Sequence, residues 1–269
     1  MPPLTLPEYF APEGQRSALE EYGRFAGVKG WTIGEKMEMY KASREAFDPS
    51  VPYEQAFKTF REKIYKKLSQ WQWYRPYSLG ECWDPQKIFQ TTRTEFAQFA
   101  WGGPIVLSNF MGSSKLEALV ASLLTMREIK PNTDYPTMAV SKFLHPYNPA
   151  LFLIYDTDVI WKKVLATCFR TEFDQFCSMS SLPYSATKDS AELLRSYMCW
   201  AGSLVASAPN FMDIFADWLG KQPGGEASKT KRKFEASSLY STAFEFTIIG
   251  AAKLRCPQLF VDKSETGCK

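Results

Sequence analysis

Asp156 stands at an abrupt junction, after the apolar run Leu151-Phe152-Leu153-Ile154-Tyr155 and before Thr157-Asp158-Val159-Ile160, where a helix starts. A carboxylate so placed does one of two things. It accepts the orphan amide hydrogens of the first helical turn, worth about 1 kcal/mol as an N-cap, or it is a held catalytic group. Lys142 and Tyr155 lie in the same stretch and are the candidate neighbours of such a group. In their structural roles, Lys142 is a solvated helix residue and Tyr155 a core ring whose hydroxyl is hydrogen-bonded. His145 stands before Pro146, where a helix should end, and its ring can bond a C-terminal carbonyl. It is the sole histidine, and no serine or cysteine nucleophile at diagnostic spacing makes it part of a triad.

A second cluster interleaves bases with aromatics: Arg61, Lys63, Lys66, Lys67, Trp71, Trp73, Tyr74 and Arg75. Bases neutralise phosphates and aromatic rings stack on exposed nucleobases, so the combination suits nucleic acid. It is equally what one face of an amphipathic helix and its exit would show. The chain as a whole carries 32 basic and 29 acidic residues, a net charge of +3, too even to indicate a polyanion partner from charge alone.

The six cysteines are scattered, with no Cys-x-x-Cys pair, in a chain large enough to fold without staples. Reduced thiols, no metal and no cofactor are expected. The first residues, Met1-Pro2-Pro3-Leu4-Thr5-Leu6-Pro7, lack the basic and apolar regions of a secretory signal. No window approaches the roughly 20 apolar residues that cross a bilayer. A soluble, cytoplasmic protein without membrane contact is the expectation.

Helices must position these residues. Tyr53, Phe57, Phe60, Ile64 and Leu68 recur at spacings of three and four, one face of a helix. Leu116, Leu119, Val120, Leu123 and Leu124 repeat the pattern after Ser113 and Ser114, which can supply a cap. Further helices are predicted around Leu19, Tyr22 and Phe25; Met37, Tyr40 and Phe47; Leu193 to Val205; Phe211 to Trp218; and Ala236 to Leu254, which Gly250 weakens. One or two short strands fit around Ile88 to Phe99.

The segment Pro149 to Val159, Pro-Ala-Leu-Phe-Leu-Ile-Tyr-Asp-Thr-Asp-Val, resembles the place in helix-hairpin-helix DNA glycosylases where an apolar run meets the helix carrying the family's aspartate. The likeness covers about 115–170, and Thr137 to Leu144 matches the short buried helix after the DNA-binding hairpin. It implies a helical fold, DNA or another nucleic acid as partner, and Asp156 as the carboxylate that stabilises oxocarbenium character at the sugar during base departure. Lys142 and Tyr155 would be pocket neighbours, with Tyr155 stacking on base or sugar.

The chain departs from the pattern at named positions. Asn132-Thr133-Asp134-Tyr135-Pro136-Thr137 has no hairpin glycine to bring amides onto a phosphate, and Met138 stands near the position of the lyase lysine. The cysteines are too far apart for an iron-sulfur cluster. The Ser-Lys-x-Leu-His, Pro-x-Leu-Phe and Ile-Tyr-Asp string also resembles one in uncharacterised bacterial proteins with a glycosylase-like helical core.

The expected architecture is therefore mainly α, a multi-helix globular body over 1–221 with the glycosylase-like core at about 113–221. A basic flexible loop at 222–234, a C-terminal helix at 235–260 packing on the body, and a tail at 261–269 follow. The expected function is that of a divergent nucleic-acid-associated protein with Asp156 as catalytic carboxylate. Its alternative is a noncatalytic helical binding or interaction protein in which Asp156 is a cap.

Overall fold

Apolar residues at helical spacing turn most of the chain into helix, and no strand occurs among the described residues. The structure is a computed structural model that describes residues 5–26, 33–70, 84–99, 106–110, 118–119, 136–182, 191–222 and 239–261. The expected caps Ser113 and Ser114, the residues Trp71, Trp73, Tyr74 and Arg75, the hairpin at 132–135, nearly all of the 222–234 loop and most of the 261–269 tail lie outside them.

The N-terminal half supplies α1 (Leu6–Phe10), α2 (Pro12–Ala26) and α3 (Ile33–Phe47). The segments Tyr53–Thr59, Phe60–Tyr65 and Lys66–Gln70 run on as one helix, α4, whose middle segment is π-type. Phe60, Ile64 and Leu68 are buried as the periodicity predicts, and Phe60 stacks on Phe89 at 5.1 Å between ring centroids.

The stretch expected as strand is instead α5 (Pro85–Thr94) with a 3₁₀ turn at Ala97–Phe99. The start signal decides it. The Asp84 side chain accepts from the amides of Gln86 (2.9 Å) and Lys87 (3.2 Å), and Pro85 opens the first turn. Thr92, whose β-branch favours strand, donates its hydroxyl to the Ile88 carbonyl at 2.6 Å and so fits within the helix.

After a 3₁₀ turn at Leu107–Asn109, the second half gives α6 (Pro136–Tyr147), α7 (Thr157–Cys168), α8 (Arg170–Met179), α9 (Ala191–Ser207), α10 (Phe211–Lys221) and α11 (Tyr240–Arg255), then a 3₁₀ turn at Pro257–Leu259. The helix α7 is π-type, with Trp161 N donating to Asp156 O and Phe169 N to Val164 O, both five residues back and both at 2.9 Å.

The C-terminal helix α11 lies at the centre of the core. Its residues Ser241 to Ile248 and Gly250 to Ala252 are buried, so it is covered on nearly every side. Helices α2, α7, α9 and α10 pack around it. Gly250 explains how closely: a Cβ there would lie 1.8 Å from the backbone oxygen of Ala18 in α2. The glycine that weakens α11 as a helix is what lets two backbones touch. On the other side, α3 packs against α4 and α6, and Phe47, Tyr147 and Phe89 fill the space between them. No helix among the described residues is long and apolar enough to cross a membrane.

Candidate functional site

The segment leading to Asp156 is pinned to α6 by one hydroxyl. Ser141 Oγ accepts from the Tyr155 amide at 2.9 Å and donates to the Tyr155 carbonyl at 3.3 Å, satisfying both backbone groups of a buried residue outside any helix. The Tyr155 ring is 1% exposed and belongs to the core. A ring so enclosed has no face on which a base or sugar could stack.

The next residue emerges from the core. Asp156 Oδ1 accepts from the amides of Asp158 and Val159, both at 2.9 Å, which is the N-cap arrangement for α7. Its Oδ2 lies 3.7 Å from Lys142 Nζ, with the Asp156 side chain 32% and the Lys142 side chain 15% exposed. The structure thus joins two of the sequence-selected residues, as a cap and a partly exposed ion pair that adds about 0–1 kcal/mol. Asp156→Ala removes the cap and the pair and is expected to lower unfolding free energy by about 1–2 kcal/mol, whereas Asp156→Asn keeps an accepting oxygen and costs under about 1 kcal/mol. Chemical denaturation of the two variants measures the difference; equal losses would contradict the cap.

A second polar cluster lies deeper, and sequence reading found only its histidine. His145 is fully buried in α6, which continues through Pro146 to Tyr147 instead of stopping before the proline. Its Nδ1–H donates to the Phe152 carbonyl at 2.7 Å, so the carbonyl it binds lies beyond the helix end. Nε2 is then the free acceptor, and the Tyr40 hydroxyl donates to it. Tyr40 in turn meets the Thr242 hydroxyl at 3.1 Å. This chain ties α3, α6, α11 and the Phe152 segment together at residues 105 and 202 positions apart. Burial, reinforced by the Lys36 charge, holds the His145 ring neutral by pushing its pKa down to about 3; the Phe152 carbonyl opposes the shift.

Glu245 completes the cluster. Its side chain is 5% exposed, with Oε1 3.6 Å from His145 Nδ1 and accepting from the Ile154 amide. Burial pushes its carboxyl up to about 8, against the opposing pull of Lys36 and the Ile154 N–H. Lys36 sits with Nζ 4.7 Å from the centroid of the Phe246 ring, which itself stacks on Tyr22 at 4.0 Å. Burial pulls the Lys36 ammonium down, and Glu245 resists this. The Tyr197 hydroxyl, also buried, has no hydrogen-bond partner among the described residues. One sequence signal could have found Glu245: it is the sole charged residue between Glu235 and Lys253.

The basic residues of α4 take a different position. Lys63 and Lys66 are exposed, while Lys67 is half-buried and lies 3.4 Å from Glu38 Oε2. Among the described residues, no group of three or more His, Cys, Asp or Glu side chains gathers as a metal site.

A cleft of about 540 Å³ opens elsewhere, between α8, α9 and the Leu107–Asn109 turn. Gly202 sets one wall, since a Cβ there would come within 2.4 Å of the Leu107 carbonyl oxygen. Phe110, Phe176 and Leu182 give it apolar faces, and Ser108, Ser180, Ser203 and Ser207 supply hydroxyls. Among the described residues no charged side chain lines it, and neither Asp156, Lys142 nor Tyr155 is among its residues. Comparison of the chain with family models, curated proteins and solved structures gives no match.

Proposed function

We propose that the chain is a noncatalytic helical binding protein that takes a small uncharged ligand into the cleft between α8 and α9, with Asp156 kept as a cap. The observation that carries this reading is the separation of the two features. The cleft has the volume of a ligand site and a lining of apolar faces with scattered hydroxyls. The carboxylate at Asp156 has one oxygen occupied by two amides and the other turned to Lys142. The described lining carries no charge, which selects against ions, because a charge entering it would lose hydration with no counter-charge from these residues.

The test is saturable binding of indole, an uncharged ring system with one N–H donor, followed by ligand-observed NMR. Ser203→Phe, which fills the cleft, should weaken binding by about tenfold or more, while Asp156→Asn should leave it unchanged. Equal binding by wild type and Ser203→Phe would contradict the reading.

A second reading rests on a specific observation as well. Asp156 Oδ2 and Lys142 Nζ are partly exposed, and Lys63 and Lys66 present positive charge on α4. In a nucleic-acid-associated protein of the glycosylase kind, that carboxylate would stabilise the cationic sugar while α4 contacted phosphates. The buried Tyr155 ring takes no part in either reading.

A further inference from the structure

Two cysteines far apart in the chain meet at the C-terminal ends of α7 and α11. Cys168 closes α7 and is 4% exposed; Cys256 follows α11 and is half-buried. Both converge on one carbonyl. Ala252 O accepts from the Cys256 amide at 2.8 Å and from the Cys168 thiol at 3.6 Å. The Cys256 thiol lies close enough to the Cys168 thiol to help raise its pKa. Cys256 is the single residue between α11 and the Pro257–Leu259 turn, and its amide makes the last helical hydrogen bond of α11 while its side chain stands at the helix end. Arg255 lies alongside, paired with Glu172.

We propose that Cys168 and Cys256 form a reversible dithiol–disulfide site that exchanges with small-molecule disulfides, Cys256 being the entry thiol and Cys168 the resolving one. Exposure sets the order, since an incoming disulfide reaches the half-buried sulfur first. The Cys256 thiolate, its proton lost to water, attacks one sulfur of the reagent and expels a thiolate, leaving a mixed disulfide. Cys168 loses its proton in turn, attacks Cys256 Sγ and expels the second thiolate. Two protein thiols become one S–S bond, the reagent disulfide is reduced to two thiols, and the two protons end on them. Burial and the Cys256 thiol raise the Cys168 pKa, so Cys168 is the thiol less ready to ionise and to react first. The closed form joins the ends of α7 and α11 covalently and constrains the unfolded chain between them.

Cys177, at 1% exposure, serves as an internal contrast and should stay a free thiol. The experiment incubates the folded full chain in graded mixtures of oxidised and reduced glutathione, blocks remaining thiols by alkylation and maps linkages by peptide mass spectrometry. The expected result is a Cys168–Cys256 cross-linked peptide that rises with the oxidised fraction and disappears on adding excess reduced thiol. In Cys168→Ser the mixed disulfide should accumulate on Cys256, and in Cys256→Ser no intramolecular link to Cys168 should form. The oxidised wild type should melt on the order of 5–10 °C above the reduced form. Free Cys168 and Cys256 at every mixture, or a mixed disulfide on Cys256 that persists in the folded wild type, would overturn the proposal.

Discussion

Glu245→Gln is expected to be nearly neutral at pH 5 and to stabilise the protein by on the order of 3 kcal/mol at pH 9. The reason is the direction in which burial moves the carboxyl. In the fold its pKa is pushed up to about 8, against an ordinary value of 4.5. Folding therefore takes up a proton between these values. The stability linked to Glu245 is fully present below about pH 4.5, declines as pH rises, and is lost above about 8. Glutamine keeps an oxygen for the Ile154 amide and has no proton to lose, so the alkaline decline should flatten. His145 works in the opposite sense. Its pKa is held at about 3 against 6.5, so its contribution is complete above pH 6.5 and is lost as pH falls towards 3.

Lys36, pulled down by burial, favours the fold at high pH and partly offsets Glu245. The clean comparison is therefore Glu245→Gln made in both the native and the Lys36→Met background. Glu245→Ala is a different perturbation: it leaves the Ile154 amide without its acceptor and opens a cavity, and should destabilise by about 3–5 kcal/mol at pH 5 and by less at pH 9, where it also removes the cost of the buried carboxylate. Urea unfolding from pH 4.5 to 9 reads both results. Parallel wild-type and Glu245→Gln profiles would show that the buried carboxyl does not titrate as described.

Gly250→Ala is expected to cost at least about 3 kcal/mol, although alanine is the better helix former by about 1 kcal/mol. The added methyl would stand 1.8 Å from Ala18 O and 2.6 Å from Ala18 C. Those atoms belong to the backbone of α2, so no side-chain rotation relieves the overlap, and the helices must separate. Gly220 supplies the control. Nothing lies within 4 Å of a Cβ built there, so Gly220→Ala should gain roughly 0.5–1 kcal/mol. Denaturant midpoints of the two variants moving in the same direction would contradict the close crossing of α2 and α11.

Much of this fold is legible in the chain because helical periodicity is local. The spacing of Tyr53, Phe57, Phe60, Ile64 and Leu68 reports which face of α4 is buried before any partner is known. At α5 local preference misleads, since Ile88, Thr91 and Thr92 favour strand while the Asp84-Pro85 start outweighs them. The cap at Asp156 was one of two readings open from its position alone, and the hydrogen bonds to Asp158 and Val159 make it a cap in the fold.

The His145–Tyr40–Thr242 chain is not legible, because nothing in the neighbourhood of Tyr40 announces a partner 105 or 202 residues away. Ser141 was equally silent: a serine inside a helical pattern gives no sign that it will hold both backbone groups of Tyr155. Glu245 could have been suspected as a lone acid in an apolar run, but its partners come from α3, α6 and the Ile154 segment, and only folding gathers them.

The proposal that Asp156, the N-cap of α7, acts only as a cap is open to a direct test by base release. Duplex DNA carrying uracil or an alkylated purine would be incubated with wild type and with Asp156→Asn, and the free base measured. With Asp156 a cap alone, neither protein should release base above the level of DNA alone. Release by wild type that Asp156→Asn abolishes, with both proteins folded, would contradict it and make the Asp156 carboxylate catalytic.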